Sequence, residues 1–256
     1  MNATGDWLHD RRPIRRVSAL RDAAVADAET DGGEWPASIP AIAAVLRDGL
    51  DFGPGVTFLV GENGSGKSTL LEGIAMAAGL PPEGGSSNGS HTTRPTESPL
   101  ADWLQIERGP GAPRGGFFLR AETMHGYYSY LESLDGSPDR HLHSLSHGES
   151  FNDLLDNKLN HPRYVTGLAC LDEPEAALSF ASTLNWMVGL RDMVERGSQV
   201  ICATHSPVLA ALPGARILEL GDWGIREANW EGLQLVGHWR TFLDSPDRYL
   251  RHLFAD

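Results

Sequence analysis

The stretch Gly61-Glu62-Asn63-Gly64-Ser65-Gly66-Lys67-Ser68 constrains this chain more than any other. It fits G-x-x-x-x-G-K-[ST], and its surroundings supply the context that pattern requires. Val56 to Val60 is a β-branched apolar run of buried-strand length, set behind the turn Gly53-Pro54-Gly55. Beyond Lys67, the residues Leu70, Leu71, Ile74 and Ala78 recur at helical spacing until Gly79 and Pro81 end the run. Strand, glycine loop and helix in that order converge backbone N–H groups and a helix N-terminus on a triphosphate. Lys67 then offsets the charge of the β and γ oxygens, and the Ser68 hydroxyl is a hard ligand suited to Mg²⁺. The bland alternative is a glycine-rich turn that happens to contain Lys-Ser, and the flanking strand and helix argue against it. Only two of the 21 basic residues are lysines, Lys67 and Lys158, so a lysine kept inside this loop stands out.

A second apolar strand, Val165 to Leu171, ends in the adjacent carboxylates Asp172 and Glu173. Ligands gather at the C-terminal ends of parallel strands, and neighbouring residues there point differently. Asp172 is thereby placed to hold a water on Mg²⁺, while Glu173 faces the terminal phosphate and polarises an attacking water. The alternative is an acidic cap on the next helix. A third run, Val200 to Ala203, ends in Thr204-His205-Ser206-Pro207 and repeats the pattern of a buried strand delivering a polar group. Leu145-Ser146-His147-Gly148-Glu149-Ser150 reads as a capping box opening a helix, whose N-terminus is itself an anion site.

The remaining chain reads more coarsely. Ile14 to Leu20 and Ile39 to Val45 are short apolar runs expected as early strands, separated by the acidic stretch Asp27 to Trp35. Residues 81–116 shift to Gly, Ser, Asn, Thr and Pro and are expected to be loop-rich. Phe117 to Leu119 is a strand candidate and Tyr127 to Leu134 a helical one. Leu184, Met187 and Val188 give i, i+3, i+4 spacing for a helix after Asp172. Ile217 to Leu220 and Gly224 to Glu227 read as a strand pair about a Gly-Asp turn, and Ser245-Pro246 opens a last helix through Leu253.

Composition narrows the classes of function. Apolar residues make up 41% and charged residues 21%, which is ordinary globular usage. A formal charge of −13 repels a phosphate backbone, so general coating of nucleic acid is excluded, and the Arg11, Arg12, Arg15, Arg16 group is the one local basic patch. Cys170 and Cys202 lie in apolar runs and read as buried thiols in a reducing compartment. With no apolar leader and no long apolar stretch, a cytoplasmic location is expected. His141, His143 and His147 lack the spacing of a transition-metal site. Trp35 offers an aromatic face for a base, with packing as the plainer role.

Taken in order, the segments resemble the ATP-binding-cassette (ABC-type) ATPase superfamily: Walker A at Gly61 to Ser68, signature at Leu145 to Glu149, Walker B at Leu168 to Glu173, switch histidine at His205. Phe117 to Glu122, Leu171 to Ser179 and Arg248-Tyr249-Leu250-Arg251 are similar to small stand-alone bacterial ATPases related to the SMC and RecF group. The resemblance implies an α/β P-loop NTPase with a mostly parallel core sheet and a small helical signature lobe. It implies one domain, with its core at about 1–80 and 161–256 and the loop-rich insertion and lobe at about 81–160. It implies ATP and Mg²⁺ as ligands. Asn63, Gly64, Ser65, Gly66, Lys67, Ser68 and Thr69 would bind nucleotide, joined across a head-to-tail homodimer by Ser146 and Gly148. Ser68 and Asp172 would hold the metal, with Glu173, His205 and Lys67 in the hydrolytic role.

This chain departs from the superfamily pattern in three places. His147-Gly148-Glu149 stands where Gly-Gly-Gln is usual, Ser179 stands where many cassettes have Asp, and no glutamine occupies the Q-loop, for which Glu122 is the candidate. These departures favour a soluble ATPase working on a nucleic acid, nuclease, repair or defence partner over the alternative, the nucleotide-binding subunit of a membrane transporter.

Overall fold

The structure is a computed structural model that describes residues 10–20, 34–82, 84–86, 98–120, 167–176 and 178–254. A seven-stranded sheet organises the molecule, and a three-stranded antiparallel sheet lies beside it. In chain order the strands are β1 (Arg16–Ala19), β2 (Leu50–Asp51), β3 (Val56–Gly61), β4 (Gly85–Ser86), β5 (Leu104–Glu107), β6 (Gly116–Arg120), β7 (Leu168–Asp172), β8 (Gln199–Thr204), β9 (Arg216–Gly221) and β10 (Gly224–Ala228). The helices are α1 (Pro40–Asp48), α2 (Lys67–Ala77), α3 (Leu100–Trp103), α4 (Phe180–Glu195), α5 (Gln234–Asp244) and α6 (Asp247–Leu253).

The large sheet runs β10-β9-β3-β8-β7-β6-β4. From β9 to β6 all neighbours are parallel, and the hairpin strand β10 and the short β4 close the two edges antiparallel. Parallel strands covered on both faces read as unbroken apolar runs, which is why β3, β7 and β8 are legible in the sequence. Side chains alternate between two apolar clusters. Phe58, Val60, Leu171 and Cys202 face α4, with Trp186, Leu190 and Met193, whereas Leu59, Cys170, Ile201 and Ala203 face α1 and α2. Each fully buried Leu or Phe in these layers contributes about 1.5–3 kcal/mol. Cys170 and Cys202 therefore sit on adjacent strands but on opposite faces of one sheet, and burial pushes both thiols well above their ordinary pKa.

Several sequence expectations are corrected. Ile39 to Val45 is not a strand, because Pro40 at the first helical position opens α1 and Ala41, Ile42, Val45 and Leu46 form its buried face. In α4 the apolar spacing of Leu184 and Val188 marks the outer face, where they are 43% and 50% exposed; the core takes Thr183, Trp186, Gly189, Leu190 and Met193 instead. The loop-rich stretch contains α3 and β5. β5 pairs along all of β1, and Leu100 packs so closely on α2 that a Cβ at Gly73 would lie 2.8 Å from it. α5 was not anticipated, since Val236 is its one buried residue. The strand pair β9 and β10 and the final helix α6 agree with expectation. Tyr127 to Leu134, and the helix expected from Ser146, lie outside the described residues.

Candidate active site

β3 ends at Gly61, where a Cβ would come 2.4 Å from the Leu220 carbonyl oxygen of β9. Gly64 and Gly66 then take positive φ, +81° and +92°, and the chain enters α2 at Lys67. At Gly66 a Cβ would lie 2.7 Å from Ile39 Cγ2, so the entry of α1 packs directly beneath the loop. Glu62, Asn63 and Gly64 form an exposed tip, while Ser65, Ser68 and Thr69 are half-buried. Ser65 Oγ is buried with no hydrogen-bond partner among the described residues, an open polar group inside the loop. Lys67 is only 3% exposed and donates from Nζ to the Glu62 carbonyl at 2.9 Å. Burial lowers its pKa, and the nearby carboxylates of Glu173, Asp172 and Glu175 oppose that shift.

The carboxylates come from β7 and the turn that follows. Asp172, 7% exposed, stands in register with Arg120 of β6 on one side and Ala203 of β8 on the other. Arg120 Nε lies 4.0 Å from Asp172 Oδ2, and its Nη1 lies 2.7 Å from Oε2 of Glu72 on α2. Glu173 adopts φ +49°, a conformation costly for a residue with a side chain and one that clusters at functional sites. Its amide donates to the Ala203 carbonyl at 3.0 Å. Its Oε1 meets Nε2 of His205 at 3.0 Å. Burial, and then the charge of Lys67, lower the pKa of His205, against the pull of Glu173.

The glycine loop and Lys67 follow β3, Asp172 and Glu173 stand at and just past the end of β7, and His205 follows β8, so these residues lie at the C-terminal ends of neighbouring parallel strands of one sheet. Ser68 and Asp172 offer hard oxygen donors on α2 and β7, elements in contact with each other. These suit Mg²⁺, an ion bound through one or two protein oxygens together with water and phosphate. Ser146, Gly148 and Glu122 lie outside the described residues.

Sequence reading missed Glu175. Its Oε1 accepts from Thr204 Oγ1 at 2.5 Å, His205 N at 2.8 Å and Ser206 N at 3.1 Å. The available signal was a third carboxylate following Glu173-Pro174. A cleft of about 600 Å³ opens beside Gly61 to Ser65 and His205, walled by Trp223 of the β9–β10 turn and by Trp239, Phe242 and Tyr249 of the C-terminal helices. Trp35 is not among its walls and is 55% exposed. The basic patch is largely neutralised. Arg12 and Arg15 pair with Asp10, Arg15 also with Glu107, and Arg16 with Asp51.

A glycine loop joining a buried parallel strand to a helix, with acidic groups at the end of a nearby parallel strand, defines a P-loop NTPase fold. Residues 47–105, which span this loop, match the family model described as AAA domain. No curated protein matches the sequence. Three solved structures are similar in part. A metal-chelate-type ABC transporter in an inward-facing conformation has 18% identity and a TM-score of 0.42, with 73% of this chain and 76% of that chain covered. The ATP-binding cassette MJ0796, a dimer bound to ADP and Pi in a post-hydrolysis state, has 20% identity and a TM-score of 0.41, covering 72% and 90%. For cbiO1 from Clostridium perfringens, part of the ABC transporter complex cbiONQ, the values are 15%, 0.40, 81% and 91%. The motif set, the parallel sheet and the AAA-domain match across the loop together give the chain a P-loop NTPase fold. No helix among the described residues is long and apolar enough to cross a membrane.

Proposed function

We propose that this protein hydrolyses ATP with Mg²⁺ at a head-to-tail dimer interface and uses the cycle to work on a partner such as a nucleic acid or a nuclease. The observation that carries the reading is the contact of Glu173 Oε1 with His205 Nε2 at 3.0 Å, at the same C-terminal end of the parallel strands as the glycine loop. Backbone amides of Asn63 to Gly66 and the N-terminus of α2 receive the phosphates, and Lys67 exchanges the Glu62 carbonyl for a phosphate oxygen. Ser68 and Asp172 would hold Mg²⁺, which supplies charge neutralisation for the triphosphate. Glu173 takes a proton from the attacking water, and His205 keeps that carboxylate oriented. Ser146 and Gly148, by resemblance, belong to the opposite subunit's γ-phosphate, so hydrolysis loosens the dimer.

The test is ATP turnover together with light scattering. Lys67→Ala should abolish ATP binding. Glu173→Gln should bind ATP normally, turn over about 10²–10⁴-fold more slowly, and become dimeric only with ATP and Mg²⁺. Unchanged turnover in Glu173→Gln removes the base assignment, and a variant that stays monomeric at saturating ATP removes the dimer.

A further inference from the structure

Glu175 is a half-buried residue with no role in the chemistry above, and its hydrogen bonds are concentrated on one carboxylate oxygen. Oε1 takes the Thr204 hydroxyl and the backbone amides of His205 and Ser206, three donors from the end of β8. Thr204 Oγ1 in turn accepts from the Ser206 amide at 3.0 Å, which closes a small ring around the residue that carries the imidazole. Oε2 is buried without a hydrogen-bond partner among the described residues. Burying a carboxylate is costly unless its charge is met by donors. Burial accordingly raises its pKa, with the Thr204 hydroxyl and the backbone amides of Glu175 itself and His205 pulling the other way.

The location explains the expense. β7 and β8 are neighbours, and the chain leaves each of them at the same edge of the sheet. The two exits are already stitched once by Glu173 N to Ala203 O at 3.0 Å. Glu175 adds the second stitch, on the far side of His205. Between those stitches stand the two side chains that meet, Glu173 and His205. A hydrogen bond on the His205 amide fixes the backbone from which the ring projects, so its reach to Glu173 is set from Glu175.

We infer that Glu175 is a positioning residue for the hydrolytic step: it clamps the backbone of His205 so that the imidazole meets Glu173. The inference rests on the reading of His205 given above and goes beyond it. It separates from a plain structural staple because it requires Glu175 to act through His205. Small misplacement of a catalytic group costs on the order of 10²-fold in rate while leaving ground-state binding alone.

The experiment is a double-mutant cycle on the full chain, reading kcat, KM, ATP affinity and melting temperature for Glu175→Ala, Glu175→Gln, His205→Ala and the double variant. Glu175→Ala should lower kcat about 10–100-fold with KM and ATP affinity within about threefold. Glu175→Gln, whose amide oxygen accepts the same three donors, should recover most of that loss. In the His205→Ala background, Glu175→Ala should cost nothing more. If the alanine variant does not fold, Glu175→Asp keeps the charge, shortens the reach by one methylene and should show the same pattern. Multiplying effects in the double variant overturn the positioning role while leaving His205 in place. A His205→Ala protein with undiminished turnover overturns the role of His205, and the clamp with it.

Discussion

Arg120→Met should destabilise the protein by about 2–4 kcal/mol, because it strands a buried anion. Arg120 closes β6 and reaches across to α2, where Nη1 meets Glu72 Oε2 at 2.7 Å. The two side chains are 18% and 10% exposed, so most of the hydration of both charges is gone. Removing one partner of a buried pair costs about 3–5 kcal/mol, trimmed here because Glu72 retains the Ser98 amide at 3.3 Å. Methionine keeps much of the volume, so the loss is chiefly electrostatic. At about 2–4 °C per kcal/mol for a chain of this size, the melting point should fall by roughly 5–15 °C. Adding Glu72→Gln should return part of the loss, since Glu72 then carries no charge, while Asp172, 4.0 Å from Arg120 Nε in the parent, keeps its own. Calorimetry or urea titration of the three proteins reads this directly. A single variant within about 0.5 kcal/mol of the parent would show that the pair is solvated, and a double variant no better than the single would show that Arg120 acts by packing.

Two further outcomes follow from the geometry. Gly66→Ala places a Cβ 2.7 Å from Ile39 Cγ2 at φ +92°, whereas Gly64→Ala, at φ +81°, meets nothing within 4 Å. Both should pay about 1–2 kcal/mol for the left-handed backbone, and Gly66→Ala more for displacing α1, so melting curves that rank them the other way refute the contact argument. Asp10 is held at about 2, below its ordinary 3.8, chiefly by its hydrogen bond with Arg12. Its contribution to stability is therefore full above pH 3.8 and lost as pH falls toward 2. Arg12→Ala should be less stable than the parent at neutral pH, with part of that deficit vanishing over the same window. A deficit constant from neutral pH down to pH 2 would place the effect in the lost Arg12–Phe52 carbonyl bond instead.

What could be read in advance followed from how locally each feature is determined. β3, β7 and β8 are buried on both faces, so their apolar runs show without reference to anything else. Lys67, Asp172, Glu173 and His205 were legible because each sits at or beside the end of such a run. α1 was misread because Ile39, Ile42 and Val45 carry β-branched side chains that suggest a strand, although Pro40 and the alanines around them are helix signals. In α4, Leu184 and Val188 satisfy helical spacing as well as Trp186 and Leu190 do, and only the packing of the sheet decides which stripe is buried. Glu175 and Arg120 were invisible for a different reason. Their partners lie far away in sequence, and the pairing depends on which strands are neighbours.

Strand order also sets the spacing of the chemistry. β8 lies between β3 and β7, so the glycine loop and the acidic turn are two strand spacings apart, roughly 10 Å. That gap is too wide for Glu173 to touch the loop and wide enough for phosphate groups between them. His205, at the end of the intervening strand, stands in the middle of the gap. Were β7 directly beside β3, the carboxylates would press against Lys67 and neutralise it without a ligand. As the sheet is built, Lys67 satisfies itself on the Glu62 carbonyl, and burial weakens its hold on its proton. A bound triphosphate supplies the negative charge that reverses that weakening, so the lysine is held most firmly as a cation when the site is full. Isotope-edited NMR of the two-lysine protein should accordingly show the pKa of Lys67 rising when nucleotide binds. A Lys67 resonance unmoved by saturating ATP would mean that the phosphates do not reach the amine.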